Sequence, residues 1–208
     1  MQAQSQILTW RTAIQTDTPA DEQELLRLLA EGNEEAFAIL YERHQGPLYR
    51  FAWHMSGDTA TAEEITQEAF MLLIRSPRQY DPNKGSLSGY LFGIARNLAR
   101  KSLARARATV SLDEQFDEEG ENDLTFDPAD EQQDIFGALS QKQLIAYLQK
   151  AVLSLPAQYR EVVSLCDLEQ MSYTDAAELL QCSPGTVASR LHRARALLKS
   201  KMGIPGGE

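Results

Sequence analysis

Apolar residues recur along this chain at intervals of three and four, and β-branched runs of period two are few, so the sequence predicts helices almost throughout. Asp21 and Glu24 resemble a capping box that opens a helix through Ala30, and Gly32 closes it. Asn33 can cap a second helix, on which Ala36, Phe37, Leu40 and Tyr41 make one apolar face. Gly46-Pro47 predicts a break and a restart into Leu48 to Met55, with Gly57 as the stop. Thr61 and Glu64 form another capping box before a helix reaching about Arg75. There Ile65, Ala69, Leu72 and Leu73 face inward, and Glu63, Glu64, Gln67 and Glu68 lie outside. Pro77 to Gly85 carries breakers and turn formers and reads as a loop. From about Ser86 to Arg107, Leu87, Leu91, Ile94 and Leu98 form one core stripe. That period sends Arg96, Arg100 and Arg107 to the opposite side, with Phe92 near that face.

The second half predicts helices near Gln141 to Ser154, Pro156 to Cys166, Tyr173 to Gln181 and Pro184 to Lys201. Its last two helices have a sharper signature. Ser172 and Asp175 form a cap for the first, and Ala176 and Ala177 are small enough for the next helix to cross closely. Ser183 can cap the second, and Pro184 sits at its first position, where a missing N–H costs nothing. Val187, Leu191, Ala194 and Leu198 make its buried stripe. Gly185, Ser189, His192, Arg193 and Ala196 face away, with Arg190 at the edge. Two short helices around a tight turn, the second one basic, have the layout of a helix-turn-helix entering a DNA major groove. The competing reading is a solvated amphipathic helix whose cations suit its C-terminal end.

Charge sharpens the picture. The 208 residues sum to a net charge of -10, which by itself argues against a nucleic-acid partner. The distribution of that charge argues the other way. From Pro82 to Val110 there is no acid but six cations, Lys84, Arg96, Arg100, Lys101, Arg105 and Arg107. From Asp113 to Asp134 acids crowd without a single Lys or Arg, and from Leu179 to Met202 the cations return without an acid. Two basic surfaces therefore flank an acidic connector, and phosphate binding follows the local patch rather than the sum. The acidic stretch from Ser111 to about Asp134 has little apolar material to bury and reads as a flexible linker. The predicted fold is all-α: a tail at 1–20, a helical domain at 21–108, an acidic linker at 109–138 and a second helical domain at 139–204.

The functions excluded are as informative. There is no P-loop, no His/Asp/Glu cluster and no strand-linked Gly-rich phosphate loop, so neither an enzyme nor a metal or cofactor is expected. Cys166 and Cys182 are too few and too isolated for a disulfide framework or a zinc site. No apolar run approaches the length of a membrane span, and Met1 to Ala20 lacks the pattern of a signal peptide, so a cytoplasmic protein is expected.

Five motifs in order resemble the bacterial sigma factors of the extracytoplasmic-function (ECF) class. They are Glu35-Ala36-Phe37 with Leu40-Tyr41; Ala62-Glu63-Glu64-Ile65-Thr66-Gln67-Glu68-Ala69-Phe70; Tyr90-Leu91-Phe92-Gly93-Ile94-Ala95-Arg96-Asn97; Leu155-Pro156-Ala157-Gln158-Tyr159-Arg160-Glu161-Val162; and the helix-turn-helix. The resemblance implies sigma domain 2 followed by sigma domain 4, acting with core RNA polymerase and promoter DNA under an anti-sigma factor. It implies that Glu63, Glu64, Gln67 and Glu68 dock on the β′ clamp helices and that polymerase contacts extend to the β flap. A plain solvated helix face remains the alternative for those four residues.

The resemblance also places opening of the −10 element on Tyr80, Asn83, Lys84, Ser86, Tyr90, Arg96, Asn97 and Arg100. Those types suit an unstacked base beside cations for its backbone. Tyr90 has two readings, a base platform or a core side chain. Many relatives carry Trp where this chain has Tyr90, Phe where it has Leu87, and Lys or Arg where it has Ala188. Reading of the −35 element would then lean on Ser183, Thr186, Ser189, Arg190, His192 and Arg193. The acidic linker would thread toward the RNA path, or act as a tether only. A rival function is an ordinary helix-turn-helix regulator that dimerises on duplex operators, which needs neither the basic-aromatic helix nor the acidic one.

Overall fold

The computed structural model describes residues 19–110 and 141–202, with side chains described over 22–105 and 145–202. The tail, the acidic linker and the side chain of Arg107 lie outside the described residues. Every regular element among the described residues is helical. The first half comprises α1 (Pro19–Ala30), α2 (Glu34–Ser56), α3 (Thr59–Arg75) and α4 (Leu87–Val110), with single 3-10 turns at Pro77–Gln79 and Pro82–Lys84 before α4. The second comprises α5 (Gln141–Leu153), α6 (Ala157–Val162) running into a wide π turn at Val163–Leu168, α7 (Tyr173–Leu180) and α8 (Pro184–Lys201).

Three predicted helix boundaries are corrected. α1 begins at Pro19, so Asp21 lies inside its first turn rather than capping it. α3 begins at Thr59, capped by Asp58, whose carboxylate accepts the Thr61 N–H at 2.7 Å. Thr61 is therefore helical and not a cap; the ionised Asp58 oxygen is the stronger acceptor for an N-terminal N–H. α2 does not break at Gly46-Pro47 but runs through it. An interior proline costs about 3 kcal/mol. Burial of Leu48, Phe51 and Met55 on the same face offsets it, at about 1.5–3 kcal/mol for each side chain. Gly57 does stop the helix, with φ 74° and its N–H donating to the Trp53 carbonyl.

The stripe of α4 is also shifted. Leu87, Leu91, Phe92, Ala95 and Ala99 are buried, whereas Ile94 and Leu98 are half-buried. Phe92 does not share an exposed face with the arginines; its ring meets Phe51 edge-on at 5.3 Å. The reason is that α4 is covered on two sides, by α2 and α3 of its own half and by α7 of the other. A single-face period cannot anticipate the second contact. α2 likewise packs on α5 and α6, so one apolar core runs from Leu25 in α1 to Ala194 in α8. Gly57 lies at the seam between the two halves. A side-chain carbon there would stand 3.3 Å from Cδ2 of Leu153.

Candidate nucleic-acid interface

The helix-turn-helix is built by local hydrogen bonds. The Ser172 hydroxyl accepts the Asp175 N–H at 3.1 Å and donates to the Asp175 carboxylate at 2.7 Å, fixing the start of α7. Gln181 then takes a left-handed conformation, φ 56° and ψ 46°, and the Cys182 N–H returns to the Ala177 carbonyl, which turns the chain in two residues. The Ser183 hydroxyl accepts the Thr186 N–H at 3.1 Å and shares a second hydrogen bond with the Thr186 hydroxyl at 2.9 Å. Ala176, Ala177, Val187, Leu191 and Ala194 are buried where the two helices cross.

What remains outside is the expected duplex-reading set. Ser183, Ser189, His192 and Arg193 are exposed, and Thr186 and Arg190 are half-buried. Among the described residues neither Arg190 nor Arg193 has a carboxylate partner. Arg195 differs. Its guanidinium donates twice to Asp167 in the π turn, at 3.0 and 2.5 Å, and that pairing raises its pKa further. α8 thus keeps two arginines available to a ligand and uses a third to brace itself.

The second basic surface lies where the 3-10 turns meet α4. Asp81 accepts both the backbone N–H and the side-chain amide of Asn83 at 3.0 Å, which lowers the Asp81 pKa, and Lys84 stands 3.5 Å from the same carboxylate. Gly85 has φ 138° and ψ 179°, a conformation that only glycine adopts readily. Its carbonyl accepts the Tyr80 hydroxyl at 2.9 Å, and Tyr80 leans on Tyr90 with ring centroids 5.6 Å apart. Tyr90 is half-buried, part packing and part surface. Ser86 caps α4 by accepting the Gly89 N–H at 3.1 Å. Asn97 and Arg100 are exposed.

Arg96 is the exception in this set. Only 13% of its side chain is exposed, and it pairs through two hydrogen bonds with Glu161 of α6, at 2.8 and 3.1 Å. Sequence reasoning missed this contact, along with Arg50 to Glu169 (2.9 and 2.7 Å) and the Arg160 guanidinium donating to the Met55 carbonyl at 3.1 Å. The available signal was Glu161 itself, an acid preceding the apolar run Val162-Val163.

On α3, Glu63, Glu64 and Gln67 are exposed and Glu68 is half-exposed, 3.6 Å from Arg75. Met71 and Ile74, at 40% and 39% exposure, continue the same face at helical spacing. The sequence reading missed both, and they make this an acidic strip with an apolar end. The structure therefore holds three separate surfaces, on α3, on the turn before α4 and on α8.

Two family models match the chain: Sigma-70 region 2 over residues 40–109, and Sigma-70, region 4 over residues 145–198. The ECF RNA polymerase sigma factor SigE of Mycolicibacterium smegmatis is 36% identical over 160 residues, covering 77% of this chain and 59% of that protein, so the chain spans about three-fifths of its length. The ECF RNA polymerase sigma factor SigW of Bacillus subtilis is 27% identical over 179 residues, covering 85% of this chain and 94% of that one. Among solved structures, CnrH in complex with the cytosolic domain of CnrY has a TM-score of 0.62 at 22% identity, covering 89% of this chain and 99% of that one, a likeness of fold. The sigma factor RpoE in complex with the anti-sigma factor NepR from Bartonella quintana has a TM-score of 0.62 at 25% identity, covering 82% and 98%.

Proposed function

This chain belongs to the ECF class of RNA polymerase sigma factors, with sigma-70 regions 2 and 4, and we propose that its three surfaces divide the work of promoter-directed initiation. The acidic strip of α3, Glu63, Glu64, Gln67 and Glu68, docks on a basic, partly apolar face of core polymerase. The turn before α4 and its first windings take the −10 element as single strand: Tyr80 and Tyr90 offer the aromatic surface, and Lys84 and Arg100 meet the backbone, with Asn83, Ser86 and Asn97 as polar contacts, whereas Arg96 is engaged by Glu161. The outer face of α8 reads the −35 duplex, with Arg190, His192 and Arg193 toward bases and phosphates and Ser183, Thr186 and Ser189 at its N-terminal end.

The carrying observation is that, among the described residues, Arg190 and Arg193 stand without carboxylate partners on a properly capped helix, in a chain whose net charge is -10. Exposed cations that stand clear of the described carboxylates are available to phosphates and base edges. Sigma factors are non-catalytic polymerase subunits, so the chain supplies recognition and polymerase the chemistry. The working units are 21–108 for region 2 and 139–204 for region 4, joined by 109–138. The place of action is the cytoplasm, where polymerase and promoter DNA meet; none of the described helices is long and apolar enough to cross a membrane. An anti-sigma factor covering both basic faces would silence the chain, as the complex of RpoE with NepR suggests.

Overproducing the protein in its own cells and sequencing the RNA tests this reading. Induced transcripts should start downstream of one shared pair of −35 and −10 sequences. A transcriptome without such a shared pair contradicts it.

A further inference from the structure

Positive φ angles occur at two kinds of residue among the described ones. Gly32, Gly57 and Gly85 adopt them without a side-chain clash. The others are glutamines, Gln170 and Gln181, each at φ 56°. The left-handed region crowds an L side chain, and helices that end in it carry glycine or, less often, asparagine. The two glutamines share one sequence context, Gln170-Met171-Ser172 and Gln181-Cys182-Ser183. Each stands two residues ahead of the serine that caps the next helix, so together they bracket α7, the first helix of the helix-turn-helix.

Internal contacts do not account for these side chains. Both glutamines are exposed, and neither side-chain amide makes a hydrogen bond among the described residues. The turns themselves are closed by the backbone. The Met171 N–H donates to the Leu165 carbonyl at 2.9 Å and the Cys182 N–H to the Ala177 carbonyl at 3.0 Å, bonds that glycine at 170 and 181 would allow equally. A strained residue that serves no internal contact points to use by a ligand.

Their surroundings say which ligand. Gln181 adjoins Ser183 and Thr186 at the start of α8, and Gln170 adjoins the exposed Ser172, Tyr173 and Thr174. In a helix-turn-helix the second helix enters the major groove while the first crosses the DNA backbone. The eight residues of α7 span about 12 Å, close to the width of that groove at about 12 Å. Amides at the two ends of α7 are thus spaced for phosphates on opposite lips of the groove, and a glutamine amide is a good donor to a phosphate oxygen.

The geometry points to Gln170 and Gln181 as phosphate contacts that seat the −35 duplex across α7, one at each end, while α8 reads the bases. This rests on the reading of α8 as the −35 helix. Being neutral, the two amides add affinity without adding to its salt dependence.

The full-length chain tests this by fluorescence anisotropy on a duplex carrying the −35 sequence shared by the induced promoters. Gln181→Gly relieves the left-handed backbone and removes the amide. Its urea midpoint should hold or rise while affinity falls by about three- to tenfold, equally across single base-pair changes. Gln170→Gly should behave the same way. Gln181→Lys keeps a side chain on the same backbone. It should tighten binding at low salt and steepen the slope of log affinity against log salt by about 0.9, as for one added phosphate contact. Unchanged affinity in either glycine variant, losses confined to particular base pairs, or an unchanged salt slope in Gln181→Lys overturns the proposal. Arg193→Ala separates the two readings. If it too leaves binding unchanged, the −35 assignment of α8 falls; if it weakens binding while the glutamine variants do not, only the phosphate contacts fall.

Discussion

The ring of Tyr80 leans on the ring of Tyr90 at 5.6 Å and 55°, while its hydroxyl donates to the Gly85 carbonyl at 2.9 Å. One side chain thereby ties the turn before α4 to that helix's first winding. Burial pushes both phenol pKa values up, so the pair is neutral at physiological pH and suited to stacking. Tyr90→Ala should weaken binding of a single-stranded −10 oligonucleotide by about 1–3 kcal/mol, read by fluorescence anisotropy. Duplex −35 binding should not change. Equal loss on both ligands would make Tyr90 a packing residue and nothing more.

Arg193 and Arg195 are two residues apart on α8 and have different fates. Arg193 is exposed and has no carboxylate partner among the described residues, and Arg195 is held by Asp167. Arg193→Ala should cost about 1–3 kcal/mol on the −35 duplex and relax the preference at one base pair. Arg195→Ala should leave that preference intact and lower stability by less than about 1 kcal/mol, as for an exposed pair. A binding series across single base-pair changes separates the two.

Gly57 and Gly32 both have positive φ, 74° and 84°, but only Gly57 faces a neighbour, with Leu153 at 3.3 Å. Gly32→Ala meets nothing within 4 Å and should cost about 1–2 kcal/mol from backbone strain alone. Gly57→Ala adds a tight contact with the Leu153 side chain of the other half, which must shift by a few tenths of an ångström, and should cost more. Urea titration of both variants checks the order, and equal midpoints would mean the seam yields freely.

The Glu68 carboxylate is half-exposed and 3.6 Å from Arg75, and Glu64 is exposed, so neither supports the fold appreciably. Glu64→Lys with Glu68→Lys should lower affinity for core polymerase at least tenfold, with melting changed little. Normal co-elution with core polymerase on gel filtration would move the docking surface off α3.

His54 gives the pH dependence. Its Nδ1 is buried with no hydrogen-bond partner among the described residues, and burial, with Arg50 and Arg160 nearby, lowers its pKa below 6.5. Below 6.5 the unfolded chain binds a proton that the folded chain refuses, so this histidine makes stability fall as pH drops from 6.5 toward the folded value. His54→Gln should flatten that part of the stability curve. An unchanged slope in urea titrations at pH 5 to 7 would assign the dependence to other groups.

What was legible in the sequence follows the range of the interactions. The caps at Asn33, Ser172 and Ser183 and the stop at Gly57 were readable because each acts within a few residues. Asp58 was passed over for Thr61 because two acceptors three residues apart compete, and the spacing alone does not say which wins. The continuity of α2 through Pro47 depends on tertiary burial that local propensity cannot register. The outer face of α8 was readable from its period, because one side of that helix is buried and the other is not. Arg96 was not: its partner lies 65 residues away, and only packing of α4 against the second half brings them together. Met71 and Ile74 escaped notice because apolar residues in an amphipathic helix are expected to face inward.

The most direct measurement is run-off transcription with purified core polymerase on a template carrying the shared −35 and −10 pair. The account predicts a transcript of defined length only when the chain is added, lost when either promoter element is scrambled. Initiation no greater than with core polymerase alone, together with tight binding of the free chain as a symmetric dimer to a duplex operator, would contradict it.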